Sequence, residues 1–170
     1  FFALLSERWP DRPVVIHALA RSPEKLRQRF AHLQGQSWFR PVIQDVCSPL
    51  PKLEQVDYIV HAAGAGSPKQ YLSDPIGTVR SNVLGTLNLL ELARVHQARL
   101  LFMSSGAVYG HAQSDAPITE QDYGGLDPLD VSACYGESKR VAETLCADYH
   151  RQYGVATVMA RISHTYGPGI

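Results

Sequence analysis

At 170 residues the chain is long enough for one well-filled core and too short for two ordinary domains. Sixteen Lys and Arg against 16 Asp and Glu leave a formal net charge of zero, which excludes long-range attraction to nucleic acid or an anionic membrane and makes any phosphate binding local. Three cysteines without C-x-x-C spacing argue against a disulfide framework and a zinc site, and they fit a reducing cytoplasm.

In chain order, Phe1 to Trp9 reads as the last turns of a helix that begins upstream. Arg12 to Ala20 holds Val14, Val15, Ile16 and Leu19, a short apolar run that suits a strand buried on both faces of a parallel sheet. Ser22 and Pro23 form a cap and first-turn pair, and Leu26, Phe30 and Leu33 supply one apolar stripe that ends at Gly35. Trp38 to Val46 and Val56 to Ala62 are the next strands. Asp74 and Pro75 start a helix whose Val79, Val83, Leu87 and Leu90 recur at helical spacing up to Val95, and Arg99 to Ser104 is a strand again. Gly106 to Ala133 is turn-rich without a period, and loops of this length are usually functional. From Tyr135, Val141, Leu145 and Tyr149 mark a helix stopped by Gly154, and Val155 to Ile162 is a further strand. Longest apolar runs of a few residues fall short of a membrane span, and the N-terminus lacks a signal-peptide layout.

Strands alternating with helices predict one α/β domain over residues 1–170, a doubly wound parallel sheet with helices on both faces. Ligands of such sheets sit at the carboxyl ends of the strands. The chain places Arg21, Asp45 and Val46, His61 to Gly64, Ser104 to Gly106, and Arg161 to Tyr166 there. Gly64 and Gly66 would let a flat cofactor approach bare backbone, though an ordinary turn explains them equally. Asp45 could accept a hydrogen bond from an adenine amino group or simply cap a loop. Arg21 could face an adenosine 2'-phosphate or be solvated.

Tyr135 and Lys139 stand four residues apart, one helical turn, so both project from one face. A cation beside a phenol favours the phenolate, which makes the pair a candidate base, although any surface helix can carry this spacing. Ser104 and Ser105 at the preceding strand end give the pair its context, because a serine hydroxyl could orient a substrate alcohol. Cys134 lacks a basic partner and reads as a small buried residue, and the seven histidines show no metal-ligand spacing.

Taken together, His61-Ala62-Ala63-Gly64, Asn82-Val83-Leu84-Gly85-Thr86, Ser104-Ser105 with Val108-Tyr109-Gly110, the Tyr135 to Lys139 pair and Tyr166-Gly167-Pro168-Gly169 resemble the extended short-chain dehydrogenase/reductase superfamily. Within it, the resemblance is to the NAD-dependent epimerase/dehydratase branch that acts on nucleotide sugars. It implies a Rossmann-type fold, with Tyr135 as base, Lys139 on the nicotinamide ribose and Ser105 completing a triad. It also implies Asp45 and Val46 at the adenine, Ala62, Ala63 and Gly64 along the cofactor, and His164 where the branch usually has a substrate-contacting asparagine. The cofactor implied is NAD, with NADP suggested by Arg21. A homodimer through the helices around Val83 and Val141 is also implied.

The resemblance leads one to expect a glycine-rich turn and first strand ahead of Phe1 and a smaller substrate domain after Ile170. Residues 1–170 alone are then expected to be inactive. After Ser105 stand Gly106 and Ala107. Similar sugar 4,6-dehydratases carry Asp and Glu at these positions, and similar UDP-glucuronate decarboxylases carry Glu at the second. Ser67 to Tyr71 and Val141 to Tyr153 look most like those two groups. Elimination needs a positioned acid and base, so the expectation is an epimerase. A dehydratase or decarboxylase and a non-catalytic nucleotide-binding domain are the alternatives.

Overall fold

The computed structural model describes residues 14–111, 116–165 and 167. The expected helix over residues 1–9 and all of the C-terminal turn except Gly167 lie outside them. The chain divides into two compact units, Phe1–Val46 and Cys47–Ile170, and each contains a parallel sheet.

In the first unit β1 (Ile16–Ala20) pairs with β2 (Phe39–Ile43), from Ile16 opposite Phe39 to Ala20 opposite Ile43. Between them runs α1 (Pro23–Arg29), where the Ser22 hydroxyl accepts from the Lys25 N–H at 3.2 Å and Pro23 fills the first turn. The helix expected to reach Gly35 instead ends at Arg29 and resumes as a 3-10 turn over Ala31–Leu33. Phe30 leaves the helical backbone at φ −115° and sets its ring 5.5 Å from that of Phe39, so packing overrides the helical stripe. Pro41 sits within β2, which among the described residues pairs on one side and there tolerates the missing donor.

In the second unit β3 (Tyr58–His61), β4 (Arg99–Ser105) and β5 (Thr157–Ile162) form a parallel sheet with β4 in the centre. A short helix α2 (Pro68–Ser73) and a long one, α3 (Pro75–His96), connect β3 to β4. Helix α4 (Ala133–Tyr153) connects β4 to β5. Asp74 caps α3 by accepting from the Gly77 N–H at 2.9 Å, and Gln97 closes it in the left-handed conformation. Gly154 closes α4 in the same way, as its position predicts.

One sheet face carries Ile59, His61, Leu100, Phe102 and Ser104, all buried. Helices α3 and α4 pack on each other, α3 against β3 and β4, and α4 against β4 and β5. Leu90, Ala93, Ala142 and Cys146 from these helices are buried. Burying a side chain such as Leu90 or Phe102 is worth about 2 kcal/mol, so this layer holds the strand ends in place. Tyr58, Val60 and Val158 remain exposed. In this unit, therefore, the described strands bury the face that carries the helices.

The segment after β4 opens as a 3-10 turn over Gly106–Tyr109, capped by Ser105, and an isolated bridge joins His111 to Gly125. No helix among the described residues is long and apolar enough to cross a membrane.

Candidate active site

The carboxyl ends of β3 and β4 and the first turns of α4 bring Ser105, Tyr135, Lys139 and the His61 to Gly64 segment into one unit. Lys139 is 5% exposed, so its charge is an interior one. Its Nζ donates to the Met103 carbonyl of β4 at 2.8 Å and lies 4.6 Å from the Phe102 ring centroid and 5.8 Å from that of Tyr135. Burial lowers its pKa to about 8, and the Glu143 carboxylate one turn along opposes that fall.

The Tyr135 ring is stacked on that of Tyr71 from α2, with centroids 5.0 Å apart and planes 12° apart. Its main-chain carbonyl accepts from the Ser138 hydroxyl at 3.1 Å, and Ser138 Oγ accepts from Asn82 Nδ2 at 2.9 Å. The first turn of α4 is thereby tied to α3. Ser105 Oγ accepts from the Ala107 N–H at 3.2 Å and keeps its own proton for donation. The 3-10 turn comes close to α4 at Gly136, where an added Cβ would lie 2.8 Å from Leu126 Cδ1 and 3.2 Å from the Ala107 carbonyl oxygen. Gly106 and Ala107, which carry no acid, thus stand at the same helix end as Tyr135.

His61 is buried, with Nε2 3.1 Å from Thr86 Oγ1, and the Thr86 hydroxyl donates to the Asn82 carbonyl. His61 Nδ1 and Asn82 Oδ1 are both buried without a hydrogen-bond partner among the described residues. Burial, and then the Lys139 charge, lower the His61 pKa to about 4, so the ring is neutral near pH 7. Gly64 adopts φ +152°, and a Cβ there would lie 3.0 Å from Asn82 Oδ1, which together require glycine. Ala62 and Gly64 are exposed and Ala63 half-buried. Sequence reasoning gave no role to His61, Asn82 or Thr86, although all three belong to the motifs it quoted.

Behind the strand ends, Arg161 binds both Glu143 oxygens, through Nε at 3.0 and 3.2 Å and Nη2 at 2.8 Å. Ser104 donates to the same carboxylate at 2.6 Å. Arg161 also donates to the Glu120 carbonyl at 2.9 Å, and Arg140 donates to the Val108 carbonyl at 2.8 Å and to the Gly124 carbonyl. Two arginines therefore hold the long loop by its backbone.

Arg21, Asp45 and Val46 belong to the first unit. Arg21 Nη1 is 3.8 Å from Asp45 Oδ2, a solvent-screened ion pair, and Val46 is buried. His164 follows β5 and is exposed. Cys134 is half-buried, and burial raises its pKa. Among the described residues no three His, Cys, Asp or Glu side chains cluster as metal ligands.

The model of the NAD dependent epimerase/dehydratase family matches residues 4–169. UDP-glucuronic acid decarboxylase 6 of Arabidopsis thaliana is 46% identical over 134 residues, 79% of this chain and 38% of that protein. UDP-glucuronic acid decarboxylase 1 of Xenopus tropicalis is 42% identical over 142 residues, 84% of this chain and 33% of that protein. The chain thus spans less than half the length of these relatives. A dTDP-glucose 4,6-dehydratase double mutant from Streptomyces venezuelae, solved with NAD bound, superposes with a TM-score of 0.79 at 27% identity, covering 98% of this chain and 52% of that one. On a match that runs almost end to end, the chain belongs to the NAD dependent epimerase/dehydratase family.

Proposed function

We propose that the protein is an NAD-dependent enzyme that oxidises a carbon of a nucleotide sugar and returns the hydride, with Tyr135 as base. The observation that carries this reading is the buried Lys139 ammonium, held under β4 by the Met103 carbonyl with its ring neighbour Tyr135 on the same helix face. The residues suit NAD. The backbone at Gly64 is bare where a Cβ would strike Asn82, and Lys139 spends one of its three N–H donors on Met103 and has others for a ribose hydroxyl.

Bound NAD supplies the hydride acceptor and donor. The Tyr135 phenolate takes the hydroxyl proton of the sugar carbon as that carbon becomes a ketone, and it gives the proton back on reduction. Lys139 holds positive charge beside the phenolate and orients the ribose. Ser105, with its oxygen engaged by the Ala107 N–H, turns its proton toward the reacting oxygen. In the first unit, Asp45 and Val46 would take the adenine. His164 would contact the sugar.

Two outcomes for the ketone have specific support. The decarboxylase relatives support loss of carbon dioxide. A carboxylate β to the new ketone leaves as the C–C bond breaks into an enolate, which is then protonated and reduced. Gly106 and Ala107 support epimerisation, which needs no eliminating acid. Dehydration has the least support from these two positions. The test uses the full-length protein with NAD and UDP-glucuronate, UDP-glucose or dTDP-glucose, reading products by mass and configuration. Tyr135→Phe should lower kcat by about 10²- to 10⁴-fold, and unchanged turnover would remove Tyr135 from the mechanism. Wild-type binding of NAD without turnover of any sugar would favour the non-catalytic alternative.

A further inference from the structure

Tyr71 lies on α2, a six-residue helix with no buried residue and with Leu72 exposed. Apolar burial therefore does not hold this helix, and six residues are too few for it to be stable alone. Its contacts run to the site instead. The Tyr71 ring is stacked on Tyr135 at 5.0 Å, and the Tyr71 carbonyl accepts from Cys134 Sγ at 3.7 Å. Gln70 Oε1 accepts from the Gly66 N–H at 2.7 Å, on the glycine turn after β3. The Gln70 carbonyl accepts from the N–H of Asp74, the residue that caps α3, and α3 reaches α4 through Asn82 and Ser138.

We propose that Tyr71 is a positioning residue for the Tyr135 phenol, its ring setting the plane of the base and its helix tying that base to the glycine turn. A tyrosine ring turns about its Cβ–Cγ bond, and a second ring in parallel contact holds it to one plane. The closed path from Gly66 through Gln70, Asp74, Asn82 and Ser138 to Tyr135 and Tyr71 couples the base to the glycine turn, two residues from the bare backbone of Gly64. The inference rests on Tyr135 being the base.

The test compares full-length wild type with Tyr71→Phe, Tyr71→Leu and Tyr135→Phe, using NAD and UDP-glucuronate or whichever of the sugars above the wild type turns over. Tyr71→Phe keeps the ring and should hold kcat within about twofold. Tyr71→Leu keeps apolar bulk without the stack and should lower kcat about tenfold, with KM changing less than about threefold. Ring-proton shifts of Tyr135 provide a readout independent of turnover. The ring-current displacement from Tyr71 should persist in Tyr71→Phe and vanish in Tyr71→Leu. Full kcat in Tyr71→Leu beside an inactive Tyr135→Phe overturns the role of Tyr71 and leaves the base intact. A Tyr71→Phe as impaired as Tyr71→Leu, or a loss confined to KM, also overturns it. An active Tyr135→Phe overturns the base reading, and the inference with it.

Discussion

The Thr86 hydroxyl has one proton, and it goes to the Asn82 carbonyl. His61 must therefore donate through Nε2, leaving Nδ1 a bare acceptor in an interior that already holds the Lys139 charge. Lys139 bears the larger cost. Burial lowers its pKa from 10.5 to about 8, so between these values the folded state binds fewer protons than the unfolded one. Stability then rises with pH through that window, and below about pH 8 the full cost of the buried charge is present. Lys139→Met should raise the unfolding free energy at pH 7 by about 2–3 kcal/mol and abolish turnover. Urea unfolding at pH 7 and pH 10 checks this, with the gain at pH 10 the smaller. The four-residue spacing of Tyr135 and Lys139 was legible in the chain because helical geometry alone puts them on one face. The Tyr71 stack was not, since it joins residues far apart in sequence through tertiary packing that no local period encodes.

Helix α4 carries the pair, and its first turn must lie close to the turn after β4. Gly136 permits that approach. Alanine would add about 1 kcal/mol of helix propensity, but its Cβ would meet the fixed backbone carbonyl of Ala107 at 3.2 Å, and the Leu126 side-chain end at 2.8 Å would have to move aside. Overpacking of this kind costs about 1–3 kcal/mol. Gly136→Ala should therefore lower Tm by a few degrees and reduce kcat, and a raised Tm with full activity would contradict the close approach. Element identity was readable wherever caps coincide with period, as at Asp74-Pro75 and Gly154. It failed at α2, where Ser67-Pro68 repeats the cap-and-proline signal of Ser22-Pro23 over a stretch too short to show a stripe. It also failed at Phe30, where a ring contact ends a helix that the apolar spacing extends.

At the scale of the whole molecule, the family and the parallel α/β architecture were legible because motif order and strand–helix alternation survive in the chain. The first compact unit closes at Val46, where the sequence shows a proline-bearing loop, Ser48-Pro49-Leu50-Pro51, between two strands. The expected homodimer remains a proposal. Leu84, Val95 and Val141 on α3 and α4 are exposed and offer an apolar surface for a second copy. Sedimentation of the full-length protein at micromolar concentration should show a dimer that Val141→Glu dissociates, and a wild-type monomer would refute it.

Tyr135, Lys139 and Glu143 follow one another at single-turn intervals along α4, reaching in turn Tyr71, the Met103 carbonyl and Arg161. One residue inserted between Tyr135 and Lys139 would rotate everything beyond it by about 100° and part the phenol from its ammonium. A residue added among the exposed positions 127–130, beyond the Gly124 carbonyl that Arg140 holds, would lengthen the connection at little entropic cost. Changes in chain length are thus confined by phase: this gene can grow in the loop ahead of α4, but within the helix it is locked to whole turns.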